Sequence, residues 1–488
     1  MIFSTYGYLL VFLPVVFFLI YNRFSQFIGE SFQLLILILV SAFFYAYWDV
    51  SLFPLLVGSI LFNYFSAVLM DRFIAARKAF FVLGIAGNLL FLGYFKYFNF
   101  FAENYNSISD VEYFSADVAL PLAISFYTLQ QIAFLVDYYQ KFISEELSLK
   151  KYFGFIMFFP QLIAGPIVHY KYLTSQFTNN IYRIDYRNIS LGLLLISIGL
   201  FKKVVLGDNL APFVNFGYQS VDDLTLVTSW ILAIAFYLQI YFDFSGYADL
   251  AIGSALLLNI KLPLNFNSPY KSKSLIEFWS RWHITLSEFL NHYLYVPLLR
   301  SWKAITFTRA MITTLFVMLV SGVWHGAGWG FIIWGALHGI GLIVNHVWSK
   351  TNFRLPKGLP WVLTNIFVIV ALVLFRAADI KSSFTILGNM FGFNGLALPV
   401  YFKRFAPEFL DGLVVWKGNF FMDVGLSFTT IFMIIIGFVI ALGFKNSTEM
   451  SDSFEPNYKW LFFIVVILFT SVVSMGAAPT LEFIYYEF

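Results

Sequence analysis

The chain has 488 residues, of which 60% are hydrophobic, 21% aromatic and 12% charged. Soluble domains carry roughly 25% charged residues, so this chain has too few polar groups to cover its surface in water and is expected to be an integral membrane protein. The net charge of +3 is too small to suggest a nucleic-acid partner, and the absence of cysteine excludes disulfides, thiolate metal sites and a cysteine nucleophile.

Apolar stretches near the length of a membrane-crossing helix recur along the sequence and, with the marginal ones counted, predict about eleven crossings. In chain order they are 6–21, 33–48, 53–70, 79–97, 118–139, 189–206, 225–242, 310–322, 331–348, 361–376, 424–443 and 460–476. Two more apolar segments, 152–168 and 244–260, are interrupted by Gly, Pro or Asp, which predicts re-entrant or core-buried pieces. The predicted fold class is an all-α polytopic membrane protein.

The positions of Lys and Arg predict an orientation. The loops 22–32, 71–78 and 140–151 contain basic residues, whereas the alternate loops 49–52 and 98–117 contain none. Because cytoplasmic loops are enriched in Lys and Arg, the N-terminus is predicted to be extracytoplasmic.

A longer basic stretch, 261–309, is predicted to be cytoplasmic if 244–260 enters the membrane and returns to the same side. It contains Lys271, Lys273 and Arg281 among other basic residues. We expect this stretch to handle a ligand at the cytoplasmic face.

The candidate catalytic residue is His325, which lies between two apolar spans and is followed by three closely spaced glycines. An ionisable residue at membrane depth is costly and indicates function, and an imidazole can take a proton from a hydroxyl group. The alternative is that the glycines of 322–339 pack helices together and that His325 and His338 are structural core residues.

Two further polar clusters stand in apolar surroundings. Arg281 and His283 lie among tryptophans, which fits either an interfacial helix with a snorkelling arginine or the wall of a substrate site. Asp243 and Asp249 need basic partners if they are buried, and a structural ion pair is favoured there over catalysis. The spacing of the six histidines does not fit a metal site, and His169 fits an interfacial position.

These clusters, in this order, resemble the membrane-bound O-acyltransferase (MBOAT) superfamily, and within it the bacterial alginate O-acetyltransferase membrane subunits and their D-alanyl-transferring relatives. The resembling motifs span residues 1 to about 340. They are Met1-Ile-Phe-Ser with Phe12-Leu-Pro, Leu120-Pro-Leu-Ala-Ile-Ser-Phe-Tyr-Thr, Phe159-Pro-Gln-Leu-Ile-Ala-Gly-Pro, Tyr241-Phe-Asp-Phe-Ser-Gly-Tyr-Ala-Asp, Asn265-Phe-Asn-Ser-Pro-Tyr, Phe278-Trp-Ser-Arg-Trp-His-Ile-Thr-Leu-Ser and Trp324-His-Gly.

The resemblance implies a single helical bundle around a central funnel, with a motif-bearing core at 120–340 between N-terminal helices (1–118) and C-terminal helices (361–488). The essential histidine of the family matches His325, and its second, partly shared histidine matches His283. The implied reaction moves an acetyl group from cytoplasmic acetyl-CoA toward an extracytoplasmic polysaccharide, and relatives of this branch work with a periplasmic or membrane-tethered partner protein in the bacterial cytoplasmic membrane.

Several residues are candidates for contacts to the donor or substrate. Lys271, Lys273 and Arg281 suit the phosphates of coenzyme A, and Trp324 and Asp243 are the other candidates. Acetyl-CoA is expected as a co-substrate, with no bound cofactor and no metal. The predicted activity is O-acetylation of a polysaccharide such as alginate-like exopolysaccharide or peptidoglycan. The alternatives are D-alanyl transfer from a carrier-protein thioester, a proton-coupled transporter or flippase, and a purely structural subunit.

Overall fold

The computed structural model of the protein describes residues 1–109, 119–163, 165–177, 184–407, 410, 412–418, 420–423, 425–477 and 481–487. Helices dominate these ranges. The two described strands, β1 (Leu396–Pro399) and β2 (Val414–Lys417), form one parallel pair with Leu396 opposite Val414. The predicted all-α fold class is therefore confirmed.

The N-terminal part is a series of helices joined by short loops. Its helices are α1 (Leu13–Tyr21), α2 (Arg23–Ile28), α3 (Glu30–Ala46), α4 (Phe53–Arg72), α5 (Arg77–Leu92) and α6 (Phe98–Ser109). A π-helical turn, Gly7–Phe12, precedes α1, and a second one, Gly93–Tyr97, joins α5 to α6. Pro54 lies in the first turn of α4, where a missing N–H breaks no intrahelical bond.

The central part contains the motifs that carry the family resemblance. Its helices are α7 (Ile124–Tyr139), α8 (Leu149–Met157), α9 (Phe159–Leu162), α10 (Tyr170–Thr174), α11 (Tyr186–Leu200), α12 (Asp208–Gln219), α13 (Leu226–Leu257), α14 (Leu275–Trp279), α15 (Ile284–Leu290), α16 (Val296–Ser301), α17 (Phe307–His325) and α18 (Trp329–Trp348). π-Helical turns at Phe201–Gly207 and Asn291–Tyr295 follow α11 and α15. The long helix α13 lies in the core and packs against α11, α12 and α19.

The helices of the C-terminal part are α19 (Leu359–Arg376), α20 (Ile380–Met390), α21 (Phe420–Asp423), α22 (Phe428–Phe438), α23 (Ser447–Asp452) and α24 (Tyr458–Ala477), with a π-helical turn at Val439–Gly443. The C-terminal part contributes α19, α20 and α22 to the packing around α13. The long polar region 377–423 contains α20 and both strands. After α24 the chain returns to the core and ends in a short 3₁₀ helix, Ile484–Glu487.

The predicted break at 244–260 is wrong, whereas the predicted burial of this segment in the core is confirmed. This segment and the span before it form one continuous helix, α13, which is buried along most of its length. Gly246 and Gly253 let the backbone of α13 approach α11: a Cβ on Gly246 would lie 2.7 Å from the carbonyl oxygen of Gly199, and one on Gly253 would lie 2.7 Å from that of Gly192. Small residues bring helices into close contact in this way, so the glycines serve packing and not a break.

The other interrupted segment, 152–168, is broken and buried as predicted. Helix α8 ends before Phe158, whose ψ of 102° turns the chain, and the four-residue helix α9 follows. Pro160 lies in the first turn of α9, where proline is tolerated.

The predicted number of about eleven crossings agrees with the described helices. Eight helical stretches are long and apolar enough to cross a membrane, and three shorter apolar helices accompany them. The predicted span 118–139 has no counterpart among these, because its helix, α7, buries polar side chains such as Gln130, Gln131 and Asp137. Because α13 is one continuous helix, a re-entrant segment at 244–260 no longer supports a cytoplasmic position for the stretch 261–309, and this position stays a prediction.

Candidate active site

His325 lies where α17 ends, next to the start of α18. The two helices touch through their glycines: a Cβ on Gly322 would lie 2.3 Å from the carbonyl oxygen of Phe331, and one on Gly335 would lie 2.4 Å from that of Met318. The helix-packing interpretation of these glycines is therefore correct. Helix packing by these glycines is compatible with a catalytic role for His325, because the close contact between α17 and α18 also positions the imidazole at the end of α17.

The imidazole of His325 is enclosed by aromatic rings. Its ring centroid lies 4.8 Å from that of Trp324, 5.0 Å from Trp334, 5.3 Å from Phe375 and 5.8 Å from Tyr485. The residue is 3% exposed, and neither ring nitrogen has a hydrogen-bond partner among the described residues. Buried polar groups are nearly always paired, so the two nitrogens are expected to take a water molecule or a ligand as a partner.

His283 is held in one orientation by its neighbours. It precedes α15 with a left-handed backbone (φ 44°), and its Nδ1 lies 3.1 Å from Oδ1 of Asn265. The same oxygen accepts hydrogen bonds from the backbone N–H and the hydroxyl of Thr285. Because this amide atom is an acceptor, Nδ1 of His283 carries the proton. Its Nε2 is then a bare acceptor, and it has no partner among the described residues.

Aromatic rings connect the two histidines. The ring of Trp324 lies between them, with its centroid 4.8 Å from His325 and 6.3 Å from His283. On another side, Phe244 lies 4.8 Å from His283 and 4.7 Å from Tyr485. The structure thus brings His325, His283 and Trp324 together.

A narrow cavity connects His325 to His338 on α18. His338 is also buried, and its Nδ1 accepts a hydrogen bond of 3.3 Å from Nε1 of Trp279. The free space of the cavity is about 10 Å³ for the centres of water-sized spheres, which is room for about one water molecule. A larger ligand therefore requires side chains of the wall to move.

The three basic candidates for donor binding lie away from this cavity. Nζ of Lys271 donates to the carbonyl oxygen of Phe444 at 2.9 Å, and Arg281 pairs with Glu277 at 2.9 Å. Lys273 lines a separate cavity of about 610 Å³ between α18 and α19. The structure does not bring these three residues to His325.

The aspartates of α13 are paired with two consecutive lysines. Asp243 lies 2.6 Å from Nζ of Lys203, and Asp249 lies 2.7 Å from Nζ of Lys202. Both lysines belong to the π-helical turn Phe201–Gly207. The predicted ion pairs are thus confirmed.

The C-terminal tail, residues 481–485, is a part of the site that the sequence analysis missed. The backbone N–H of Ile484 donates to Oδ2 of Asp243 at 2.8 Å, and the ring of Tyr485 then closes one side of the His325 cavity. The sequence offers no signal for this contact, because a short segment after the last apolar span carries no periodicity that tells where it docks.

The remaining histidines lie elsewhere. Nδ1 of His169 lies 2.7 Å from the hydroxyl of Tyr293, His292 is exposed, and His346 lines another cavity. Within the part of the chain that the structure describes, no group of three or more His, Asp or Glu residues is arranged to hold a metal ion.

Comparison with known proteins identifies the family. The family model of membrane-bound O-acyltransferases matches residues 140–384, which include both His283 and His325. A peptidoglycan O-acetyltransferase of Helicobacter pylori is 40% identical over 525 aligned residues, which cover 100% of this chain and 98% of the relative. The chain belongs to the MBOAT family.

Other relatives of this MBOAT protein have names that refer to other polymers. A probable alginate O-acetylase of Pseudomonas aeruginosa is 35% identical over 403 residues, covering 81% of this chain and 75% of the relative. A teichoic acid D-alanyltransferase of Bacillus subtilis is 25% identical over 250 residues, covering 50% of this chain and 62% of the relative. The MBOAT protein is an acyltransferase, and the transporter and structural-subunit alternatives give way to this class.

Proposed function

We propose that the protein takes an acetyl group from cytoplasmic acetyl-CoA and passes it toward an extracytoplasmic polysaccharide, either peptidoglycan or an alginate-like exopolysaccharide. The full-length likeness to a peptidoglycan O-acetyltransferase favours peptidoglycan as the acceptor. The relative named for D-alanyl transfer matches half of the chain at lower identity, so an acetyl donor is favoured over a D-alanyl thioester.

The open imidazole of His325 carries this proposal. Both of its ring nitrogens lack partners among the described residues inside a buried aromatic cavity, so the unprotonated nitrogen of the neutral imidazole is available to act as a general base. His325 accepts the proton of an acceptor hydroxyl, the oxygen attacks the thioester carbonyl, and the carbon–sulfur bond breaks. The leaving thiolate then takes the proton from the imidazolium, which yields an acetyl ester and free coenzyme A.

His283 is proposed as the second active-site histidine. Asn265 fixes the proton on its Nδ1, so Nε2 is ready to accept a hydrogen bond from a substrate group. Trp324, between the two histidines, forms the wall of the reaction site.

The donor and acceptor are proposed to approach from opposite sides of the membrane. Lys271, Lys273 and Arg281, on the predicted cytoplasmic stretch 261–309, are proposed to contact the phosphates of coenzyme A. We place the protein in the bacterial inner membrane with an extracytoplasmic N-terminus, where a periplasmic or membrane-tethered partner protein completes transfer to the polysaccharide.

Turnover of radiolabelled acetyl-CoA by the purified protein in proteoliposomes tests the proposal. His325→Ala is expected to lower turnover by about 10²- to 10⁴-fold, the contribution of a general base, and His283→Ala to lower it less. His292→Ala is the matched control, because this histidine is exposed, and it should leave turnover unchanged. Near wild-type turnover by folded His325→Ala protein would refute the assignment.

A further inference from the structure

Two consecutive residues from the turn between α5 and α6 hold the helix end that carries His325. An α-helix leaves its last four carbonyl groups without intrahelical partners. Helix α17 is followed by Gly326, whose backbone is extended (φ −161°). The helix therefore lacks the left-handed glycine turn that commonly satisfies these carbonyl groups. Nζ of Lys96 donates to the carbonyl oxygens of Trp324 at 2.7 Å and His325 at 3.0 Å. The hydroxyl of Tyr97 donates to the carbonyl oxygen of Val323 at 2.5 Å.

The ammonium group of Lys96 uses all three of its donors. Its third contact is the hydroxyl of Ser125, at 3.2 Å, and the indole N–H of Trp324 donates to the carbonyl oxygen of the same Ser125 at 3.3 Å. Lys96 and Trp324 therefore connect the end of α17 to Ser125 at the start of α7, one through the hydroxyl of the serine and the other through its carbonyl oxygen. Such a closed set of contacts restricts how far the helix end can shift.

Lys96 carries out this task at an energetic cost. No carboxylate of the described residues lies within 4.0 Å of its Nζ, so the positive charge has no ionic partner. An ionisable side chain within a membrane helix is expensive and is kept for function. The partial negative charge at the C-terminus of α17 offsets part of that cost. A neutral donor such as the Tyr97 hydroxyl caps the same helix end, so capping alone does not require a cation.

We propose that Lys96 is a positioning residue for His325. It does not contact the reacting atoms, but it fixes the backbone from which the imidazole projects. This role rests on the function proposed above, in which His325 is the general base. A displacement of about 1 Å in a catalytic group can cost about 100-fold in rate, so loss of the Lys96 contacts should act on the chemical step and not on binding of the donor.

The test compares Lys96→Met, Lys96→Arg and Tyr97→Phe in the proteoliposome assay of acetyl-CoA turnover. Lys96→Met keeps the length of the side chain without its donors and should lower kcat by about 10- to 100-fold with KM for acetyl-CoA nearly unchanged. Lys96→Arg restores donors and should recover part of kcat. Tyr97→Phe is the matched control, since it removes one neutral hydrogen bond from the same helix end, and it should keep kcat within about threefold of wild type.

The outcomes separate this inference from the function it rests on. Wild-type kcat in Lys96→Met, together with an inactive His325→Ala, overturns the role of Lys96 alone. Turnover that persists in His325→Ala overturns the proposed function instead. If Lys96→Met does not yield folded protein, Lys96→Gln replaces it: its amide is one bond shorter and has two donors where the ammonium group has three, so it cannot make all three contacts of Lys96. Reduced kcat at unchanged KM then supports the inference, and wild-type kcat overturns it.

Discussion

Gly199→Ala is expected to destabilise the protein, although alanine is the better helix former. A Cβ at this position would lie 2.6 Å from the carbonyl oxygen of Gly246 and 2.9 Å from the backbone N of Leu250. Ordinary contact begins near 3.4 Å, so α13 has to move away from α11 by about 0.8 Å. Both partners are backbone atoms, and no change of rotamer can relieve the overlap.

The magnitude follows from two opposing effects. Overpacking of a tight contact costs about 1–3 kcal/mol, while replacing a helical glycine by alanine returns about 1 kcal/mol. The net effect is a loss of up to about 2 kcal/mol, or a fall of up to about 2 °C in the midpoint of thermal unfolding. Because α13 also carries Asp243, its displacement should lower acetyl-CoA turnover as well.

Thermal unfolding of the detergent-solubilised protein measures this effect, with Gly58→Ala as the matched control. Gly58 lies in α4, and an added Cβ there would meet nothing within 4 Å. Its replacement should raise the unfolding midpoint, since only the gain in helix propensity remains. If Gly199→Ala raised the midpoint as Gly58→Ala does, the close packing of α11 on α13 would be refuted.

Two further substitutions test how the site is held together. Asp243→Asn removes the charge that pairs with Lys203 and weakens the hydrogen bond from Ile484. The C-terminal tail should then become accessible to carboxypeptidase, and acetyl-CoA turnover should fall about tenfold. A tail that stays protected would contradict the role of Asp243 in holding it. Asn265→Ala removes the acceptor that keeps the proton on Nδ1 of His283, and turnover should fall by about tenfold. Unchanged turnover in that variant would show that the proton position on His283 does not matter.

The membrane-spanning helices could be predicted from the sequence because apolar length is a local property. The helices around His325 were located correctly, and the glycines at 322–339 allowed for the close packing that the structure shows. The segment 244–260 differs from its prediction for a physical reason. Glycine weakens a helix in water, but within a membrane protein it lets two backbones meet, and one sequence does not reveal the partner helix.

The parts of the site that escaped prediction come from distant regions of the chain. Lys96 is 229 positions away from His325 in the sequence, and its position at the edge of an apolar span gave no hint of a partner. The prediction of the three donor-site residues rests on their charge alone. The structure pairs Lys271 with the carbonyl oxygen of Phe444, 173 positions later in the chain, and Arg281 with the nearby Glu277.

The anchoring of the tail also sets an order of assembly during synthesis. Nζ of Lys203 donates to the carbonyl oxygen of Glu482, 279 positions later in the chain. At about 5–20 residues per second, the ribosome needs roughly 15–55 s to make that stretch. Asp243 is made long before Glu482, so the Lys203–Asp243 pair can form while the rest of the chain is still being synthesised. The His325 cavity, however, lacks the wall formed by Tyr485, so a nascent chain becomes competent for turnover only after every helix has been inserted.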